Sequence, residues 1–300
     1  MNTSNTQHFG FVAVLGAPNA GKSTLVNRLV GAKVSIVSPK VQTTRSRIRG
    51  IVVDGDTQII LVDTPGIFKP SRRLDRAMVA SAWTESEESD LRLLLVDAQK
   101  GIDKNTRNII NNLEKNRQKT ILVINKIDLI AKEKLLPLIS SLNKPDLFTD
   151  TFLISASTGE NVEDLKRFLV SKMPVGLWMF PGDQLSDLPN KLFAAEVTRE
   201  KLFMALQQEL PYSVAVETTQ FKEQKNGIRI EQTIYVERTG QKSIVLGKNG
   251  SMIKKVGEQS RKDLTRLFDT PVHLFLFVKV KENWVEDPSQ YSNWGLDYNA

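Results

Sequence analysis

The chain of 300 residues contains no cysteine. That absence excludes disulfides, thiolate zinc sites and cysteine nucleophiles together, and it fits a reducing cytosol. Histidine is nearly absent as well, with only His8 and His273. His8 is expected in a polar N-terminal tail and His273 in a packed strand, so neither is offered as a catalyst. No stretch approaches the ~18 apolar residues of a membrane-spanning helix. Residues 1–7 are polar and lack the basic-then-apolar form of a signal peptide.

Hydrophobic content of 40% and charged content of 25% are those of a soluble globular protein, enough for two cores at this length. The net charge is +7, which implies an acidic partner such as nucleic acid or an anionic membrane surface. The charge is focused. Residues 238–266 carry eight bases against two acids, Glu258 and Asp263.

From residue 11 to about 174, short apolar runs alternate with helical stretches. The runs at 11–15, 59–62, 91–97, 120–124 and 152–154 read as buried, mostly parallel strands, with helices such as 25–30 and 106–116 between them. Asp54 and Gly55 separate two strand patterns, a hairpin signal that makes one pair antiparallel. The expectation is a doubly wound α/β sheet with one antiparallel edge strand, over residues 1–175. Residues 176–190 are rich in breakers and read as a linker. Residues 191–300 then read as helix, strand, strand, two short helices about 247–250, and strand, a smaller α+β domain. Trp284 and Trp294, in the tail, are expected to pack on it.

Gly16, Ala17, Pro18, Asn19, Ala20, Gly21, Lys22 and Ser23 follow the first strand and open a helix. The glycines let the backbone turn its N–H groups inward, and the helix N-terminus completes an anion cradle. Lys22 would reach the β/γ-phosphates and Ser23 would ligate Mg²⁺. Asp63, Thr64, Pro65 and Gly66 end the next parallel strand. Asp63 can hold Mg²⁺ through water, and the Gly66 N–H can point at the γ-phosphate. A threonine in the 41–45 loop, Thr44 in preference to Thr43, would add a Mg²⁺ ligand. Asn125, Lys126, Ile127 and Asp128 follow a later strand. A carboxylate at Asp128 accepts from guanine N1–H and its N2 amino group, and adenine has neither donor. Asn125 would brace the loop, Lys126 would cover the base, and the Ala156 N–H of the Ser155, Ala156 pair would meet guanine O6. These segments together read as a GTP/GDP site.

Ras-like enzymes orient the attacking water with a glutamine after the Asp-x-x-Gly glycine. Ile67 stands there instead. The expected catalytic set is therefore Lys22, Thr44, Gly66 and Ile67, with slow intrinsic hydrolysis and the water held by backbone groups. Arg45, Arg47, Arg72 and Arg73 are candidate arginine fingers, with surface charge the simpler role.

Residues 11–174 resemble the translation-factor-like GTPases. Ile244, Gly247, Lys248, Asn249, Gly250, Ile253, Lys254 and Lys255, in an α-β-β-α-α-β order, resemble the Gly-x-x-Gly loop of a KH RNA-binding module. A loop of that kind clamps about four nucleotides of single-stranded RNA. A GTPase domain joined to such a module is similar to the bacterial Era GTPases, and the resemblance spans nearly the whole chain. It implies binding near the 3′ end of small-subunit ribosomal RNA, a role in assembling that subunit, and cytoplasmic location with peripheral contact at the inner membrane. Asn19 matches a P-loop asparagine that helps bind a monovalent cation in related tRNA-modification GTPases, which implies K⁺ nearby. The catalytic cysteine of those relatives is missing. The main reading is a GTP-driven RNA-binding switch. The alternatives are an RNA-binding protein with structural nucleotide, and a membrane-surface or cell-cycle regulatory GTPase.

Overall fold

The computed structural model describes residues 6–38, 40 and 48–300, without the side chains of Ser289, Gln290 and Asn293. Contacts divide the chain into two compact units. Unit 1 takes residues 1–35, 44–187 and 294–300, and unit 2 takes 36–43 and 188–293.

Unit 1 is a sheet of β1 (His8–Gly16), β2 (Ile48–Asp54), β3 (Thr57–Asp63), β4 (Leu91–Asp97), β5 (Thr120–Asn125) and β6 (Phe148–Ile154). Its spatial order is β2-β3-β1-β4-β5-β6. Among the described residues of this sheet only β2 runs antiparallel, pairing with β3 across the Asp54–Thr57 turn. The sheet is flanked by the helices α1 (Lys22–Val30), α2 (Arg73–Glu88), α3 (Lys104–Lys115), α4 (Leu135–Leu142) and α5 (Val162–Lys172). Strand residues alternate between two cores. Val12, Val14, Leu93, Leu95 and Val123 pack with Leu25 of α1 and Leu165 of α5. Ala13, Leu15, Leu94, Val96 and Ile124 pack with Ala82 of α2 and Ile109 of α3. Burial on both faces is why these strands read as unbroken apolar runs. This is the doubly wound sheet with an antiparallel edge that the sequence predicts.

Two local expectations are corrected. His8 is not in a free tail. It opens β1, and its Nδ1 lies 3.0 Å from the Met173 carbonyl. The breaker-rich segment from Pro174 is not a bare tether, because residues up to 187 are built onto the sheet edge. The Phe9 N–H donates to Pro174 O at 3.0 Å, and the Ile51 N–H to Leu185 O at 2.9 Å. Gln58, fully buried on β3, accepts from the N–H groups of Met179 and Phe180 at 3.0 Å and donates to Phe180 O at 2.8 Å. Glycine and proline forbid regular structure there, but they do not forbid contact.

Unit 2 follows as α6 (Asn190–Ala205), β7 (Val214–Gln224), β8 (Gly227–Val236), α7 (Thr239–Leu246), α8 (Ser251–Leu267), β9 (Val272–Val280) and all but the last residue of α9 (Pro288–Trp294). The sheet order is β7-β8-β9, with β8 and β9 parallel. The order α-β-β-α-α-β is the predicted one, but α8 has 17 residues and is not short. α6 stops at Ala205, and Leu206 is already extended. From Ala194 to Glu200 every α6 side chain is buried, whichever way it faces. Its charges are paired, as burial requires. Arg199 Nε donates to Glu196 Oε1 at 2.8 Å, and Lys201 Nζ bridges Glu200 and Asp263 at 3.2 and 2.5 Å. Within this unit the Val37 N–H donates to Glu200 Oε1 at 2.9 Å. Trp284 is fully buried and donates to Ser213 O at 3.2 Å. Trp294 groups with unit 1 instead, as does Tyr298, whose ring lies 4.4 Å from the Arg73 guanidinium.

Candidate functional site

The sequence-predicted nucleotide residues gather at the carboxyl ends of the parallel strands, where open α/β sheets bind ligands. Gly16 ends β1, Asp63 ends β3 and Asn125 ends β5. The loop from Gly16 to Lys22 needs its glycines. Gly21 has φ +100°, and a Cβ there would lie 2.2 Å from Asn125 Nδ2. Gly16 is equally tight, with a Cβ position 2.7 Å from Leu95 O. Asn19 holds φ +65° without being glycine. No side chain caps α1 at its N-terminus, so its first N–H groups can meet an anion.

Lys22 is buried, and its ammonium donates to Gly16 O at 3.0 Å and Ala17 O at 3.1 Å. Burial lowers its pKa to about 8, with the Asp63 carboxylate opposing the shift. Ser23 Oγ donates to Asp63 Oδ2 at 2.7 Å, and Ser35 Oγ donates to the same oxygen at 2.6 Å. Asn27 fixes that second serine by accepting from the N–H groups of Val34 and Ser35, both at 2.9 Å. A hydroxyl and a fully buried carboxylate in contact are the hard oxygen donors that Mg²⁺ takes alongside phosphates and water. Among the described residues no group of three or more His, Cys, Asp or Glu side chains gathers as a metal cage. Thr44, with the rest of residues 41–47, lies outside the described residues.

The segment after β3 is clamped on the phosphate loop. Thr64 Oγ1 donates to Val14 O at 2.7 Å, and the Ile67 N–H donates to Gly16 O at 3.1 Å. Pro65 is buried. A Cβ on Gly66 would lie 3.0 Å from Pro18 Cα, so any larger residue would press on the phosphate loop. The Ile67 side chain packs in the core with Ala17, and its N–H is already engaged. Of the expected backbone donors in this segment, the Ile67 N–H is therefore the one turned away from a phosphate.

At the base end, Asn125 bridges two loops. Its Nδ2 donates to Ala20 O at 2.8 Å, and its Oδ1 accepts the Ala156 N–H at 2.9 Å. The expected donor to guanine O6 thus has an acceptor inside the protein. Lys126, at φ +66°, pairs with Asp97 at 2.7 Å. Ile127 packs on the core, and Asp128 is exposed on the following 3-10 turn. Ser155 is buried, its Oγ 3.1 Å from Ser157 Oγ. Sequence reading missed Asn27, Arg28, Ser35 and Asp97. Arg28 Nε donates to Ala156 O at 3.2 Å, and its guanidinium also bonds Ser157 O. Arg28→Ala is expected to raise the KM for GTP about tenfold with little change in kcat, the scale of a charge-assisted hydrogen bond lost from a loop that positions substrate. Arg28→Lys should recover part of it in steady-state assays.

In unit 2, Gly247 has φ +73°, and a Cβ there would lie 2.7 Å from Met252 Cβ. Asn249 and Gly250 are also left-handed, at φ +52° and +76°. The turn delivers the chain to the uncapped N-terminus of α8. Lys248, Asn249, Lys254 and Lys255 are exposed, as is Ile244, while Ile253 packs partly into the core. Ile253, Gly257, Leu274 and Leu276 line an adjoining cavity of about 350 Å³, with Lys254, Glu258 and Arg261.

Comparison with known proteins finds a family match in each of two parts of the chain. The family described as 50S ribosome-binding GTPase matches residues 11–126, and the KH domain family matches residues 209–285. The chain is 56% identical over 290 residues to GTPase Era of Bradyrhizobium sp. (strain BTAi1), covering 96% of this chain and 94% of that one. It is 52% identical over 314 residues to GTPase Era of Caulobacter vibrioides, covering 100% and 99%. The solved structure of an Era in complex with MgGDPNP and nucleotides 1506–1542 of 16S ribosomal RNA superposes with a TM-score of 0.90 at 39% identity, over 96% of this chain and 99% of that one. A variant of Aquifex aeolicus Era bound to GDP and aluminium fluoride gives a TM-score of 0.90 at 38% identity, over 96% and 99%. With a P-loop nucleotide domain followed by a KH domain and identity of this extent, the chain belongs to the Era family of GTPases.

Proposed function

We propose that this GTPase is a nucleotide-driven switch that holds single-stranded small-subunit ribosomal RNA near its 3′ end and acts in assembly of that subunit. One observation carries the reading. The 247–250 loop has glycines at both ends, φ +73° and +76°, with exposed Lys248 between them, on a chain that also holds a GTP site. Glycines there let a sugar-phosphate backbone approach, and α8 offers its N-terminus to a phosphate. The relative solved with 16S ribosomal RNA supports it. Gly250→Asp or Lys248→Ala in the full chain should weaken binding of an RNA from that 3′ segment at least about tenfold, leaving RNA-free GTP turnover intact. Unchanged RNA affinity in both variants would remove the reading.

In this scheme Lys22 and the loop from Gly16 would hold the phosphates, while Ser23, Asp63 and Thr44 would hold Mg²⁺. Asn125, Lys126, Asp128, Ser155 and Ala156 form the base site. Bound Mg²⁺ would neutralise charge developing on the phosphates. GTP would engage the Gly66 N–H, and hydrolysis would release that contact. Ile67 supplies no polar atom, so the attacking water is left to backbone groups and intrinsic turnover is slow. K⁺ beside Asn19 would replace part of the missing positive charge. Turnover is then expected to be several-fold faster in K⁺ than in Na⁺ at matched ionic strength, and equal rates would eliminate the ion.

The exposed lysines at 248, 254 and 255 also suit peripheral contact with an anionic membrane from the cytoplasmic side. Among the described residues no helix is long and apolar enough to cross one. Competition between anionic liposomes and RNA for the full chain tests whether the two share this surface.

A further inference from the structure

The sheet of unit 2 has one face on its helices; on the other, Ala215 and Thr233 are buried and the exposed rings lie on the edge strand β9. Leu274, Leu276 and Val278 of β9 turn toward the helices and their cores. The alternate residues, His273, Phe275, Phe277 and Lys279, turn the other way, beside Arg229, Glu231, Thr233 and Tyr235 of β8 in register. Phe275 is 41% exposed and Phe277 49% exposed. Two large rings on the water side of a strand run against the usual alternation, and β9 is an edge strand, where charged residues are the norm.

The neighbours of these rings are ionic. The Arg229 guanidinium lies 4.4 Å from the Phe275 ring centre and bonds Glu231 at 2.9 Å. Glu231 is thereby committed to Arg229. Burial, and then the Glu217 carboxylate beside it, raise the Tyr235 pKa. Lys222, paired in register with Arg229, and Lys279, paired with Tyr235, stand at its two ends and are exposed. No ion pair among the described residues engages either lysine. Residues two apart on a strand place the two rings about 7 Å apart, enough for each to take its own base.

We propose that this outer face is a second binding surface for single-stranded RNA. Phe275 and Phe277 each stack a base, and Lys222, Arg229 and Lys279 meet phosphates. Aromatic platforms flanked by cations bind single strands in this way, with little sequence preference. The surface is continuous with the KH groove, because Leu274 and Leu276 of the same edge strand line that groove. An RNA leaving the groove reaches the rings by rounding one strand. The inference rests on the KH reading above.

The test uses the full chain, a four-nucleotide RNA that fills only the KH loop, and a ten-nucleotide RNA that extends it. The native chain should bind the longer RNA at least about tenfold more tightly. Phe275→Ala/Phe277→Ala should abolish that gain without changing affinity for the short RNA, and Phe275→Tyr/Phe277→Tyr should keep it. Lys222→Glu/Lys279→Glu, which leaves the rings in place, should flatten the salt dependence for the long RNA only. Native-like affinity of the alanine pair for the long RNA overturns the proposal and leaves the face to a protein partner. So does an equal loss on both RNAs, or a salt dependence unmoved by the charge reversals. A native chain that binds GTP but neither RNA removes the KH reading and this surface with it.

Discussion

Lys22→Ala is expected to lower kcat/KM for GTP by about a thousandfold, the upper range for removing one preorganised charged donor from a buried site. The side chain is 7% exposed and held by the Gly16 and Ala17 carbonyls, so its position is set before nucleotide arrives. Lys22→Arg should not rescue, because a planar fork does not fit a space built for a point charge. The pH dependence provides a second check. In the free protein, burial holds the Lys22 pKa to about 8, against an ordinary 10.5. A bound triphosphate favours the charged form. Above pH of about 8, binding must therefore take up a proton, and GTP affinity should fall by up to about tenfold per pH unit. Stability of the free protein runs the other way. The unfolded lysine binds its proton more tightly, so this group's contribution to folding rises as pH climbs from about 8 toward 10.5. Lys22→Ala should flatten both profiles, measured by fluorescent-nucleotide titration and by thermal unfolding.

Asp128→Asn should exchange one purine for another. The carboxylate offers two acceptors to guanine N1–H and the N2 amino group. An asparagine offers one acceptor and one donor, which matches xanthine, with a carbonyl at C2. A site built to hydrogen-bond its substrate rejects a mismatched partner strongly, so GTP affinity should drop at least about a hundredfold while xanthosine triphosphate gains. The fold should be untouched, because Asp128 is exposed on a short turn and carries no core contact. ATP should remain a poor ligand of both forms in competition assays. Recovery of ATP binding would mean that the base is selected elsewhere.

The nucleotide motifs were legible because each is a contiguous string at the end of a strand, and the strands announce themselves by burial on both faces. The supporting residues were not legible. Ser35 reaches Asp63 across 28 positions, and Arg28 reaches the Ala156 carbonyl across 128. A serine or an arginine on its own has no signature, and its partner is fixed only by tertiary packing. Gln58 illustrates the same limit. It lies among β-branched and leucine neighbours that predict a strand, but its role in holding Met179 and Phe180 depends on a segment whose prolines and glycines argue for a tether. The KH loop was readable from two glycines, a lysine and the element order. Its left-handed turn supplies the physical reason for both glycines.

The central claim is that nucleotide state governs RNA binding. Calorimetric titration of a single-stranded RNA from the 3′ end of small-subunit ribosomal RNA into the full chain tests it most directly, once with MgGDP and once with a non-hydrolysable GTP analogue. Coupling of ordinary size predicts at least about fivefold tighter RNA binding in the GTP-like state, and an equal factor in the reciprocal preference for the analogue over GDP when RNA is present. Equal RNA affinity in the two states would contradict the account.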